Sequence, residues 1–119
     1  MKALDLGKVY EYQRRFVKER EWEPFHTPKN LAMALAGESG ELLEIFQWLT
    51  EEESRRVMED PKKAEAVRHE LSDILFYLLR LADTLDLDLD AAFWEKQKVN
   101  AQRYPADKAR GSVRKYTEL

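Results

Sequence analysis

The chain is 119 residues long with a net charge of −3; it is 44% hydrophobic and 36% charged, with four glycines, four prolines and no cysteine. That length fits one domain, 1–119, and the scarcity of Gly and Pro favours helices over a turn-rich sheet, so the expected class is all-α. A disulfide framework and a thiolate metal site are excluded, the near-balanced charge argues against polymeric nucleic acid as main partner, and the longest apolar run is broken by Arg80 and Asp83, which leaves a cytoplasmic protein with no membrane partner as the expectation.

Leu6, Val9, Tyr10, Gln13, Phe16 and Val17 share one helical face, so a first amphipathic helix is expected from Asp5 to about Arg20. "EWEPFHTP" breaks it. Thr27 and Pro28 then supply the N-cap and first-turn proline of a second helix running to about Trp48 or Thr50. Its apolar stripe is Leu31, Leu35, Leu42, Ile45 and Leu49, and Glu38 falls near the centre of it. "TEEESRRVMED" reads as a polar connection with one short helical turn at most. Asp60 and Pro61 repeat the cap-plus-proline signal and open a third helix, with Val67, Leu71, Ile74, Leu78, Leu81 and Leu85 at alternating steps of four and three. Asp88 caps a fourth, from about Leu89 to Arg103, closed by Tyr104 and Pro105. A basic, irregular tail, 105–119, follows. Between Leu71 and Ala82 only Ser72, Asp73 and Arg80 are polar, so the third helix should be covered on several sides. Four helices cannot easily surround it, which points to a homo-oligomer; a monomer would leave Phe76 and Leu79 partly exposed.

Two carboxylate pairs carry the chemistry, Glu38 with Glu41 and Glu70 with Asp73. Residues three apart on a helix project to neighbouring positions, so antiparallel packing of the second and third helices brings four acids together. In an apolar interface they repel strongly, and a divalent cation relieves this. All-oxygen ligands select Mg²⁺ or Mn²⁺ over zinc or copper, and a bundle di-iron site would want Glu-x-x-His where this chain has Glu-x-x-Asp. Glu44, one turn beyond Glu41, reads either as a further ligand or base for water, or as a surface residue. Lys96, Asn100 and Arg103 share a face of the fourth helix and suit sugar or phosphate oxygens, although a cation near a helix C-terminus also simply favours the dipole. Arg110, Arg114 and Lys115 extend the positive potential. Trp22, Phe25, Trp48 and Tyr77 offer a stacking slot for a base, with core packing the better reading of Phe25. His26 has no partner visible in the sequence and reads as structural or exposed.

"GESGELLEIFQW", "ELSDILFYLLRLA", "KQKVNAQRYP" and "ARGSVRKYTEL" together resemble the all-α nucleoside triphosphate pyrophosphohydrolases of the MazG-like superfamily, most closely the dCTP pyrophosphatase branch. The resemblance implies a four-helix-bundle-like fold assembled as a homotetramer, a dimer of dimers. It implies Mg²⁺-dependent cleavage of a (deoxy)nucleoside triphosphate, dCTP or a modified dCTP, to the monophosphate and pyrophosphate. By it, Glu38, Glu41, Glu70 and Asp73 would be the metal ligands, with Glu41 or Glu44 nominated as base. Trp22, Trp48, Tyr77 and Asn100 would contact base and sugar; Lys96 and Arg103, with Arg110 and Lys115 of the tail, would lie near the phosphates. Gln13 stands where relatives similar to the animal enzymes have a histidine near the substrate. Two alternatives stand beside this reading. One is a pyrophosphohydrolase for another nucleotide, such as dUTP or a phosphoribosyl-ATP. The other is a non-catalytic helical oligomerisation module whose carboxylates pair with Arg68, Arg80 or lysines.

Overall fold

Side-chain caps set where the helices begin. In the computed structural model, which describes residues 1–119, the Asp5 carboxylate accepts from the Lys8 N–H and opens α1, Leu6–Glu19. Thr27 accepts from the Asn30 N–H and opens α2, Pro28–Phe46. Asp60 accepts from the Lys62 and Lys63 N–H groups and opens α4, Pro61–Thr84, while Asp88 does the same for α5, Leu89–Arg103, through the Ala91 N–H. Each such cap stabilises its helix by about 1 kcal/mol.

The acidic connection is more ordered than its polarity suggests. It holds α3, Glu51–Arg55, started by a reciprocal capping box between Thr50 and Glu53, then a 3₁₀ turn, Val57–Glu59. Val57 is buried and this turn packs on α4, so the segment is tied down by one apolar residue within a charged run. The cap at Thr50 also ends α2 early, at Phe46 rather than Trp48 or Thr50. The tail is likewise not wholly irregular: it contains α6, Ala106–Ala109, and a 3₁₀ turn at Tyr116–Glu118.

The chain forms two compact units, Met1–Asp86 and Leu87–Leu119. In the first, α2 packs along α4 and α1 crosses α4. The buried apolar residues are Val17, Leu31, Val57, Ala64, Val67, Leu79 and Ala82, and two polar side chains, Gln13 and Arg80, are buried with them. In the second, the Tyr104 and Tyr116 rings meet edge to face and the Arg103 guanidinium sits 4.5 Å from the centre of the Tyr116 ring.

The apolar stripe of α4 divides in a way its spacing did not reveal. Val67, Ile74 and Leu81 turn inward, whereas Leu71, Leu78 and Leu85, seven residues apart on one line, are exposed in the single chain. Leu79, expected to be partly exposed in a monomer, is buried. A helix apolar nearly all round has no unique inward face in its sequence, so packing against α1 and α2 makes the choice. No helix is long and apolar enough to cross a membrane.

Candidate metal centre and nucleotide site

Glu38 and Glu41 lie one turn apart on α2, and the α2–α4 packing brings Glu70 to them. One carboxylate oxygen from each of the three falls within 4.8 Å of the other two. Glu38 Oε2 and Glu70 Oε2 are both buried without a hydrogen-bond partner. The facing Glu70 carboxyl, together with burial and the neighbouring Glu41, pushes the Glu38 carboxyl up to about 8. Such crowding is costly as three anions and is relieved by a proton or a cation. An all-oxygen donor set with two orphaned oxygens fits a hard divalent cation. The ion pairs of the chain use other acids: Arg80, a candidate partner for the site carboxylates, reaches Asp83 instead.

Asp73 is exposed and stands outside the three-acid cluster, one turn along α4 from Glu70. Glu44 is exposed. Tyr77 is half-buried, and burial with the fields of Glu38 and Asp73 raises the proton affinity of its phenol. Trp48 is two residues beyond the end of α2 and 86% exposed. Phe25, expected in the core, is 68% exposed. Gly37 and Gly40 border the acids on open space: a Cβ on either would meet nothing within 4 Å.

Trp22 is held by the way α1 ends. Glu21 takes a left-handed conformation, φ 53°, the Glu21 N–H donates to the Lys18 carbonyl and the Trp22 N–H to the Val17 carbonyl. This is a Schellman closure with a glutamate where glycine is usual, and its apolar contact is the Trp22 ring edge-on to Phe16. Gln13 is buried. Its Nε2 donates to the Phe76 carbonyl at 2.9 Å and its Oε1 has no partner. Within the second unit, Lys96 and Arg103 are exposed and Asn100 is half-buried on α5, while Arg110 and Lys115 are exposed in the tail.

A second polar group on α4 was missed in the sequence. The Arg14 guanidinium donates to both oxygens of Asp83, at 2.6 and 2.8 Å; Arg80 Nη1 reaches the same carboxylate at 3.5 Å and Arg80 Nε donates to His26 Nδ1 at 3.3 Å. The hydrogen bond from Arg14 holds the Asp83 carboxyl below its ordinary range. Burial, helped by Arg80, lowers the proton affinity of His26. The one signal available was a single arginine in the most apolar run of the chain.

Residues 35–119 match the MazG-like family. The chain belongs to that family. It is 50% identical over 114 residues to the human protein called dCTP pyrophosphatase 1, an alignment that takes in 96% of this chain and 67% of that one; the bovine protein of the same name is 48% identical over the same length. A crystal structure of a pyrophosphatase from Archaeoglobus fulgidus superposes with a TM-score of 0.79 at 35% identity, covering 88% of this chain and 96% of that one. The MazG-like match includes all three clustered acids and the whole of α4 and α5.

Proposed function

We propose that this MazG-like protein is a Mg²⁺-dependent pyrophosphohydrolase that converts dCTP, or a modified dCTP, to the nucleoside monophosphate and pyrophosphate. The observation that carries the reading is the Glu38, Glu41 and Glu70 cluster, whose oxygens lie within 4.8 Å with two of them orphaned. Roughly half the residues are shared with proteins called dCTP pyrophosphatase 1, which supports the substrate. The family match runs through both units, which supports one catalytic domain over 1–119.

Glu38, Glu41 and Glu70 would hold the cation, with Asp73, on the next exposed turn of α4, joining them. A divalent ion held there would supply positive charge against the phosphates and favour deprotonation of the attacking water. The chain's own residues do the rest. Tyr77 beside the acids, with Trp22 and Trp48, stacks on the base; the buried Gln13 underpins this wall through the Phe76 carbonyl. The carboxylate of Glu41 or Glu44 accepts the proton of the attacking water. On α5, Lys96 and Arg103 offset charge on the pyrophosphate and Asn100 supplies an amide to sugar or phosphate oxygens, with Arg110 and Lys115 adding positive potential. This assignment rests on their chemistry, their helical spacing and the family likeness.

Assembly as a homotetramer, a dimer of dimers, is part of the same reading. Its support is the exposed line Leu71, Leu78 and Leu85 on α4. Incubation with each standard and modified NTP and dNTP in Mg²⁺, with products separated by ion-exchange chromatography, tests the function. The expected result is dCMP plus pyrophosphate as the dominant pair. Release of orthophosphate, or no turnover of any nucleotide, would overturn it.

A further inference from the structure

The turn that carries Trp22 is fixed from two directions. On its N-terminal side the Schellman closure ties the Trp22 N–H to the Val17 carbonyl. On its C-terminal side the 3₁₀ turn Glu23–Phe25 leads straight into His26, whose ring lies 6.2 Å from Trp22 and 6.5 Å from Phe76. Phe76 in turn meets Tyr77 edge-on at 5.3 Å, and Tyr77 feels the field of Glu38. His26 is thus the second of four rings in a row that runs from Trp22 to Tyr77, beside the acid cluster. It is also the member with a polar bond into α4, through Arg80 Nε. Arg80 is only 6% exposed, its guanidinium is turned toward Asp83, and Arg14 grips that carboxylate from α1.

We propose that neutral His26, accepting at Nδ1 from the buried Arg80, is the positioning residue of the nucleotide-base slot, holding the Trp22 turn against α4 in the orientation that stacks on the base. This rests on the proposed base-binding role of Trp22. An accepting Nδ1 requires the ring proton on Nε2. A second proton removes the acceptor and sets two cations face to face, which leaves the buried Arg80 Nε–H unpaired. Arg80 on α4 is the charged group that acts on the ring; Asp83 on α4 and Arg14 on α1 stand behind it, and Glu23 of the preceding turn lines one cleft with these three. Asp83 is already shared by two guanidiniums and Glu23 is exposed, so burial and Arg80 prevail and the ring stays neutral. His26 touches no reacting atom in this scheme. It acts through Trp22.

Steady-state kinetics with dCTP and Mg²⁺ from pH 5.5 to 8.5 test this in the full chain. His26→Phe keeps a ring and lacks the acceptor; KM should rise about tenfold, the equivalent of one lost hydrogen bond to a charged donor, with kcat changed less than about twofold. His26→Asn offers an accepting Oδ1 and does not titrate. Its KM should stay within about threefold of wild type and should lack the extra rise that wild type shows at the acid end of this range, below the ordinary 6.5 of a histidine. Metal-ligand carboxylates titrate alike in both proteins, so the difference between the profiles isolates His26. A second readout needs no catalysis: in a Trp48→Phe, Trp94→Phe background, Trp22 is the sole tryptophan, and its emission should titrate in the acid range and cease to do so on adding His26→Asn. If wild type turns over dCTP while both His26 variants keep its KM at every pH, the proposal is overturned, as it is by Trp22 emission that ignores pH. Should wild type hydrolyse no nucleotide, the proposed function fails, and the emission titration still decides whether His26 holds Trp22.

Discussion

Two polar clusters sit on α4, and they are built in opposite ways. Around Arg80 every charge has a partner: Asp83 receives Arg14 and Arg80, and Arg80 Nε donates to His26. Around Glu70 nothing balances: three acids converge and two of their oxygens are orphaned. Proton affinities follow the same division, with Asp83 held down by a guanidinium and Glu38 pushed up to about 8 by its acidic neighbours. A satisfied buried network fixes structure, whereas an unsatisfied one stores free energy that a ligand can release. One helix therefore carries a lock for the fold and an unbalanced charge for chemistry, about three turns apart.

Substitutions should break the two clusters in opposite senses. Glu38→Gln should lower kcat/KM for nucleotide hydrolysis by at least about 100-fold while raising the melting temperature of the metal-free protein, since it removes like-charge repulsion. Asp83→Ala should cost about 3 kcal/mol of stability in urea titration, because it strands a buried guanidinium.

The pH dependences should also have opposite sign. The folded pKa of Glu38 lies above its ordinary value of 4.5, so the contribution of this group is best at low pH and is lost progressively as pH rises from about 4.5 through about 8. Added Mg²⁺ should cancel that loss. Asp83 has a depressed folded pKa, so its contribution is intact above its ordinary 3.8 and is lost as pH falls below it. Melting temperatures across pH 3 to 9, with and without Mg²⁺, separate the two. Gly40→Ala should stabilise α2 by about 1 kcal/mol, since its Cβ meets nothing in this chain, yet should impair activity if the open face beside the acids admits phosphate or a facing helix.

What the sequence made legible follows the same division. The caps Thr27, Asp60 and Asp88 were readable because a cap is a local bond, closed within three residues. Glu38 was readable because a carboxylate centred in an apolar stripe breaks the pattern around it, and Glu70 followed by analogy of spacing. Asp73 shares that spacing but stands outside the cluster, since side-chain convergence depends on the roll of α4 rather than on periodicity. Trp48 left the helix because the Thr50 capping box ended α2 early. The Arg80 cluster was hidden for a different reason. Its bonds join residues 54 and 69 positions apart, between types that give no pattern of their own, so only packing brings His26 and Arg14 to α4.

Whether the three-acid cluster is a divalent-cation site is decided by titration calorimetry of Mg²⁺ and Mn²⁺ into the nucleotide-free protein at pH 8. Wild type should bind either ion, Glu38→Gln and Glu70→Gln should each weaken binding at least about tenfold, and Glu59→Gln, in the separate acidic group with Glu53 and Asp60, should leave it unchanged. Equal affinity in wild type and Glu38→Gln, or an equal loss in Glu59→Gln, would rule out a cation site at the cluster.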